Sequence, residues 1–241
     1  MIAAQRDGDV VVITLDRPER RNAVDADACE AIRTQVEVAL AELARVVVLT
    51  GAHGHFCAGA DLGGVEDHRF RSAIRACLDT LRDAPVCTIA AVSGAALGAG
   101  TQLAVACDLR VATPDARFGI PAAKLGLMVD QRTVQHLTEL AGAGPARAML
   151  LAAEQIGGKA AHGLGLVNRI GSFAEALAWA HEISQLAPLT VAGHKLAMNR
   201  LAADAADSEV AAAVDRAWSS DDLREGMAAF KEKRAAQFRG A

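Results

Sequence analysis

Two glycine-rich stretches carry the residues whose types and spacing could do chemistry. The first is HGHFCAGADLGG, residues 53–64. Gly59 stands there among small residues, so the backbone can turn and leave N–H groups near Ala60 without a partner. N–H groups aimed one way bind an oxyanion. A plainer reading is a flexible loop that ends at Asp61 as a helix cap. His53, His55 and Cys57 are metal-ligand types, but no further ligand follows at useful spacing, and a solvated loop is the better account.

The second stretch is SGAALGAGTQL, residues 93–103. A strand running into a glycine-rich turn at the start of a helix offers further N–H groups and the positive end of a helix dipole. It is not a dinucleotide fingerprint: Leu103 stands where G-x-G-x-x-G needs its last glycine, and no acidic residue follows at the expected strand end. Nor does G-x-S-x-G surround Ser93, which argues against a hydrolase elbow. Donors around Ala60 and around Ala99 would together clamp a single carbonyl oxygen as it gains negative charge.

Such donors need a rigid scaffold, and the sequence supplies one. VVVITLD (10–16) and ARVVVLTG (44–51) are short β-branched runs, and DADACEAIRTQVEVALAELA between them has apolar residues at helical spacing. HRFRSAIRACLDTLRD reads as a second helix, VCTIAAVSG as a third strand, TQLAVACDL as helix and RVATPDARFGI as strand pieces. This alternation predicts an α/β chain whose strands are covered on both faces. From about Phe173 onward FAEALAWAHEISQLA, TVAGHKLAMNRLAADA, DSEVAAAVDRAW and LREGMAAFKEKRAAQF read as helices in succession. The expected division is a core over residues 1–190 and a helical section over 191–241.

Composition bounds the function. At 241 residues the chain can bury a proper core; it is 52% hydrophobic but only 3% aromatic, without tyrosine, so the core is aliphatic and largely alanine. A net charge of -4 offers no global field for nucleic acid or an anionic membrane. Five cysteines, odd in number and never in C-x-x-C, argue against a disulfide framework or a thiolate metal knot and point to a reducing cytoplasm. The start MIAAQRDGDV has no apolar h-region, so no signal peptide is expected. Residues 84–107 are uncharged and long enough to span a bilayer, but Pro85, Gly94, Gly98 and Gly100 punctuate them, which reads as strand, turn and buried helix.

The order RPERRNAV, FCAGADL, SGAALGAGTQLAVACDL, ARFGIP, LGL and FKEKRAAQF resembles the enoyl-CoA hydratase/isomerase (crotonase) superfamily, from about Arg17 to Phe238. The resemblance implies a spiral of strand-strand-helix units, with a C-terminal helical section for self-association as a trimer or a dimer of trimers. It also implies that the ligand is an acyl-CoA or enoyl-CoA thioester whose carbonyl is held by the N–H groups of Ala60 and Ala99. No cofactor beyond that thioester is expected. Backbone near Ala58, Asp61 and Leu62 would grip the coenzyme A moiety, together with Phe230 and Lys233, which match a C-terminal Phe and Lys of the family. In trimeric members that tail can reach a neighbour's ligand. Alone, FKEKR would read as a solvated helix end.

The sequence departs from the family where hydration needs an acid and a base. The family's two glutamates fall on Gln102 and Ala122, and neither residue exchanges a proton at neutral pH. A well-placed acid or base contributes about 10²–10⁴ in rate, so weak or absent hydration is expected. Gln102 could bond a ligand or satisfy the pocket wall, and the wall role is favoured. Asp130, in KLGLMVDQR, matches a proton-moving aspartate of the dienoyl-CoA isomerase branch, whose other two acidic residues would fall at Gln102 and Ala122; capping the helix QRTVQHLTELAG is the slightly favoured role. The leading expectation is therefore an acyl-CoA-binding protein of fatty-acid metabolism, similar to actinobacterial members that lack both glutamates and handle acyl chains, with a fatty-acid-synthesis protein as its partner. The alternative is an active hydratase, or an isomerase using Asp130; a non-CoA oligomer is a third reading.

Overall fold

The computed structural model describes residues 1–63, 68–201, 215, 218–234 and 236. Its strands are β1 (Ile2–Asp7), β2 (Val10–Leu15), β3 (Val46–Gly51), β4 (Cys87–Val92), β5 (Ala95–Leu97), β6 (Leu109–Ala112), β7 (Arg117–Gly119), β8 (Gln155–Gly157) and β9 (Arg169–Ile170). Six form one sheet in the order β1-β2-β3-β4-β6-β9, parallel except for the β1–β2 pair; β5, β7 and β8 form a second, smaller sheet.

The β-branched runs make strands buried on both faces, and their side chains sort by alternation. Val11, Ile13, Leu15, Val47, Leu49, Ala90 and Val92 belong to the main core. Val10, Val12, Val46, Val48, Ile89 and Ala91 point the other way, onto Ala176 and Ala180. The expected α/β chain with both sheet faces covered is what the structure shows.

The helices are α1 (Ala26–Ala41), α2 (His68–Asp83), α3 (Ala99–Ala106), α4 (Gln131–Ala141), α5 (Ala143–Leu151), α6 (Gly158–Gly163), α7 (Phe173–Ser184), α8 (Pro188–Leu201) and α9 (Asp221–Glu232). In α2 the buried residues Phe70, Ala73, Ile74, Cys77, Leu78 and Leu81 recur at helical spacing, which turns one stripe onto the core. Asp25 starts α1 by accepting the Ala28 N–H at 2.8 Å, and a Ser172–Glu175 capping box starts α7. Residues 84–107 fold as strand, turn and helix, and among the described residues no helix is long and apolar enough to cross a membrane. Of DSEVAAAVDRAW, only Asp215 and Trp218 lie within the described residues, and Phe238 lies outside them.

Two buried cations fasten the parts. Arg110, 1% exposed, donates from Nε to Leu166 O at 2.6 Å, from Nη1 to Cys107 O at 2.7 Å and Ala104 O at 3.3 Å, and from Nη2 to Asp108 O at 3.2 Å and Asn168 Oδ1 at 3.4 Å. Burial lowers its guanidinium to about 10, which still leaves it protonated at neutral pH. Lys195 of α8, 4% exposed, donates to Asp108 Oδ2 at 2.7 Å, Val86 O at 2.9 Å and Leu81 O at 3.2 Å.

Candidate functional site

The two glycine-rich stretches are joined by main-chain hydrogen bonds. The Cys57 N–H donates to Ala95 O at 2.9 Å and the Leu97 N–H to Cys57 O at 3.0 Å, so Cys57 and Ala96 pair like strand residues. On its other side the first loop is tied to residues 21–24: the Ala58 N–H donates to Arg21 O at 3.0 Å, Val24 N–H to Gly59 O at 2.9 Å and Asp61 N–H to Val24 O at 2.7 Å. Gly59 at φ +125 and Gly98 at φ +54 take conformations that a side chain disfavours, and a Cβ on Gly98 would lie only 3.8 Å from the Gly59 Cα.

Among the described residues, neither the Ala60 N–H nor the Ala99 N–H meets an acceptor in the protein. Ala99 is the first residue of α3, where an N–H has no intrahelical partner and the dipole is positive. Ala60 is half-buried and packs on the main core together with Leu62 and Ala122. The loops thus bring two spare main-chain donors to facing turns beside an apolar wall.

Close approach depends on Gly100, where a Cβ would overlap the Cys57 carbonyl oxygen. Gly100→Ala is expected to cost about 1–3 kcal/mol because backbone must move. Gly193, in α8, has open space where a Cβ would stand, so Gly193→Ala is expected to stabilise by about 0.5–1 kcal/mol. Urea melts of the two variants should shift in opposite directions.

The remaining sequence candidates distribute as follows. Ala58, Asp61 and Leu62 lie along the first loop, and among the described residues the Asp61 carboxylate faces Arg17 Nη2 at 3.5 Å and Arg20 Nε at 3.8 Å and accepts the Gly63 N–H at 3.3 Å. Gln102 is in the first turns of α3, half-buried, and its amide has no hydrogen-bond partner among the described residues. Ala122 lies on the 3-10 turn Pro121–Leu125, half-buried. Helix α9 packs on this turn so tightly that a Cβ on Gly226 would overlap Leu125 backbone. Phe230, 58% exposed, and Lys233, which closes α9 at φ +54, stand at the outer end of that helix.

Asp130 is the N-cap of α4, with Oδ1 accepting the Thr133 N–H at 3.0 Å and Oδ2 accepting the Thr133 hydroxyl at 2.7 Å. Asp130→Ala is therefore expected to cost about 0.5–2 kcal/mol in a denaturant melt. Asp130→Asn, which keeps an acceptor oxygen, should cost clearly less.

His53 Nε2 lies 3.0 Å from Asp16 Oδ1, while His55 Nδ1 lies 3.5 Å from the Ala95 N–H, so the two imidazoles serve different partners. Burial pushes the Cys57 thiol up to about 12, so it stays protonated beside the loop.

Residues 17–25 hold the loops in place, a role not assigned from sequence. Asn22, 1% exposed at φ 61, donates to Ala52 O at 2.8 Å and His55 O at 2.6 Å and accepts the Arg17 N–H at 2.9 Å. Arg17 adds bonds to Ala23 O at 2.7 Å and to Asp25 at 2.8 Å. The available signal was an asparagine inside RPERRNAV, since Asn tolerates the left-handed conformation and brings both a donor and an acceptor.

Residues 5–241 match the family model described as enoyl-CoA hydratase/isomerase. The chain belongs to this family. The probable enoyl-CoA hydratase echA6 of Mycobacterium leprae is 40% identical to it over 257 residues, with 100% of both chains covered. The short-chain-enoyl-CoA hydratase of Clostridium acetobutylicum is 32% identical over 248 residues, covering 97% of this chain and 95% of that one. Among solved structures, an enoyl-CoA hydratase/isomerase from Pseudoalteromonas atlantica superposes with a TM-score of 0.87 at 27% identity, covering 99% of each chain. The fold is the crotonase spiral, as the order of the motifs implied.

Proposed function

We propose that this chain binds acyl-CoA or enoyl-CoA thioesters, clamps the carbonyl oxygen between the Ala60 and Ala99 N–H groups, and hydrates its ligand weakly or not at all. The observation that carries this reading is the pair of unpartnered main-chain donors, flanked by Gln102 and Ala122, which hold no titratable group. The donors would polarise the thioester; proton transfer at the neighbouring carbons would need an acid and a base that these two positions do not supply.

The coenzyme A moiety would run along Ala58, Asp61 and Leu62 toward Phe230 and Lys233, with the exposed Arg20 guanidinium available to a phosphate. Self-association as a trimer or a dimer of trimers is part of the proposal. Leu189, Leu196 and Met198, at 88%, 54% and 60% exposure on α8, give it an apolar surface to cover. For Asp130, the two bonds to Thr133 favour the cap over a proton shuttle.

The test is mass spectrometry of an acyl-CoA and enoyl-CoA panel incubated with the protein in D₂O, with calorimetry on the same stock. A ligand that binds without gaining water or deuterium supports the proposal. Water added across the double bond, or deuterium entering the chain at enzymatic rates, would overturn the weak-chemistry half; no binding across the panel would overturn the whole.

A further inference from the structure

We infer that a cleft on the far face of the six-stranded sheet, between strand β1 and helix α7, is a second binding site and takes a linear aliphatic diamine. It is separate from the acyl-CoA site proposed above. Ala60 and Leu62 of the first loop pack on the main core, whereas the floor of the cleft is Val12 and Ala91, whose side chains point to the α7 side of the sheet. The cleft holds about 510 Å³, a size typical of small-molecule sites.

Strand pairing and helix spacing build its walls. Gln5 and Asp7 of β1 stand opposite Val12 and Val10 of β2, and residues opposite one another on paired strands share a face. That face is the α7 side, since Asp7 Oδ2 lies 3.0 Å from Nε2 of His181 on α7. One and two turns before His181, on the same stripe of α7, Leu177 and Phe173 form the opposite wall. Phe173 is 42% exposed, so the cleft has an apolar lip as well as an apolar floor.

The polar groups along the cleft call for donors. Thr50, 8% exposed, gives its hydroxyl proton to Ala91 O at 3.1 Å, so to a ligand it can only accept. Thr113 Oγ1 is buried and meets no hydrogen-bond partner of ordinary geometry among the described residues. That hydroxyl is the main cause holding the nearby Asp115 carboxylate below its usual range; a carboxylate only accepts, so the lone pairs of Oγ1 stay open, and a rotation about χ1 turns them to the cleft. Asp7, with His181 on Oδ2, keeps Oδ1 for a ligand. No Lys, Arg or His is among the described residues lining the cleft, which leaves an anion, a coenzyme A phosphate included, without a counter-charge. Spacing sets the shape: Asp7 lies beside Val10 and Thr50 beside Thr14, four residues further along β2 and about 13 Å away at 3.3 Å per residue. One ammonium of the diamine makes a charge-assisted bond to Asp7, its methylenes lie along Val12, Ala91 and Leu177, and the other ammonium reaches Thr50 and Thr113.

The experiment measures calorimetric affinities for the eight-carbon terminal diamine, diol and dicarboxylate with the parent protein, Asp7→Asn and Thr113→Val. The parent should bind the diamine at least about tenfold more tightly than the diol, the scale of one hydrogen bond to a charged group, and the dicarboxylate not measurably. Asp7→Asn gives up only an exposed ion pair of the native fold, so it should fold as the parent does and lose about tenfold in diamine affinity. Thr113→Val, which keeps the side chain's shape, should weaken the diamine about threefold or more. No diamine binding, a diol that binds as tightly, or a diamine affinity unchanged in either variant would overturn the inference. Displacement of the diamine by an acyl-CoA would place it in the other site and overturn it equally.

Discussion

Gln102→Glu combined with Ala122→Glu is expected to raise the rate of enoyl-CoA hydration by at least about 10²–10⁴, the usual contribution of a placed acid or base. The two positions offer different surroundings. Residue 102 lies near the N-terminal end of α3, where the helix dipole favours a carboxylate, the form that activates water. Residue 122 is half-buried and packs against the main core, where desolvation raises a carboxyl's pKa and keeps a proton available for the second carbon. Two carboxyls whose surroundings push them apart are what acid and base roles require. Each single variant should gain far less than the pair, because groups that act together are strongly non-additive. Loss of enoyl thioester absorbance gives the rate. A parent that already hydrates as fast as the double variant would sink both this expectation and the proposed weakness of the native site.

The largest stability loss is expected at Arg110. Arg110→Met fills similar space but strands the carbonyl oxygens of Leu166, Cys107, Ala104 and Asp108, which its guanidinium now satisfies, while Asn168 Oδ1 keeps the residue-110 backbone N–H. Stranding several buried acceptors, at about 1–3 kcal/mol each before relaxation, should cost at least about 3 kcal/mol and lower the Tm by about 10 °C. Arg110→Lys should recover little, since a single ammonium cannot spread donors over a planar fork reaching the end of α3 on one side and residues 166–168 on the other. A thermal melt within about 3 °C of the parent would show that other groups can take over these acceptors.

Much of the fold was legible because its signals are local. The β-branched runs became β2, β3 and β4, and HRFRSAIRACLDTLRD became α2. Strand β1 left no such trace: IAAQRD is an edge strand with one partly buried residue, paired to β2 through its backbone, so its side chains need no pattern. The short strands β5, β8 and β9 likewise follow from main-chain pairing.

In the site, the glycines announced where backbone turns and comes close, because no other residue fits Gly59, Gly98 or Gly100 without strain or overlap. Asn22 and Arg17 were harder to read. Their bonds reach residues up to 44 positions away, and only the folded chain brings those acceptors within range.

The seat of Lys195 sets how α8 comes loose. Most of that helix faces outward, yet its ammonium is held by Asp108 and by two carbonyls at the junction of α2 and β4. Detaching α8 alone would leave the Asp108 carboxylate without its cation and take the ammonium donor from the Leu81 and Val86 carbonyls. Its amide protons should therefore exchange with deuterium in step with those of β4, as members of one subglobal unit, instead of at the fast rates of a fraying terminal helix.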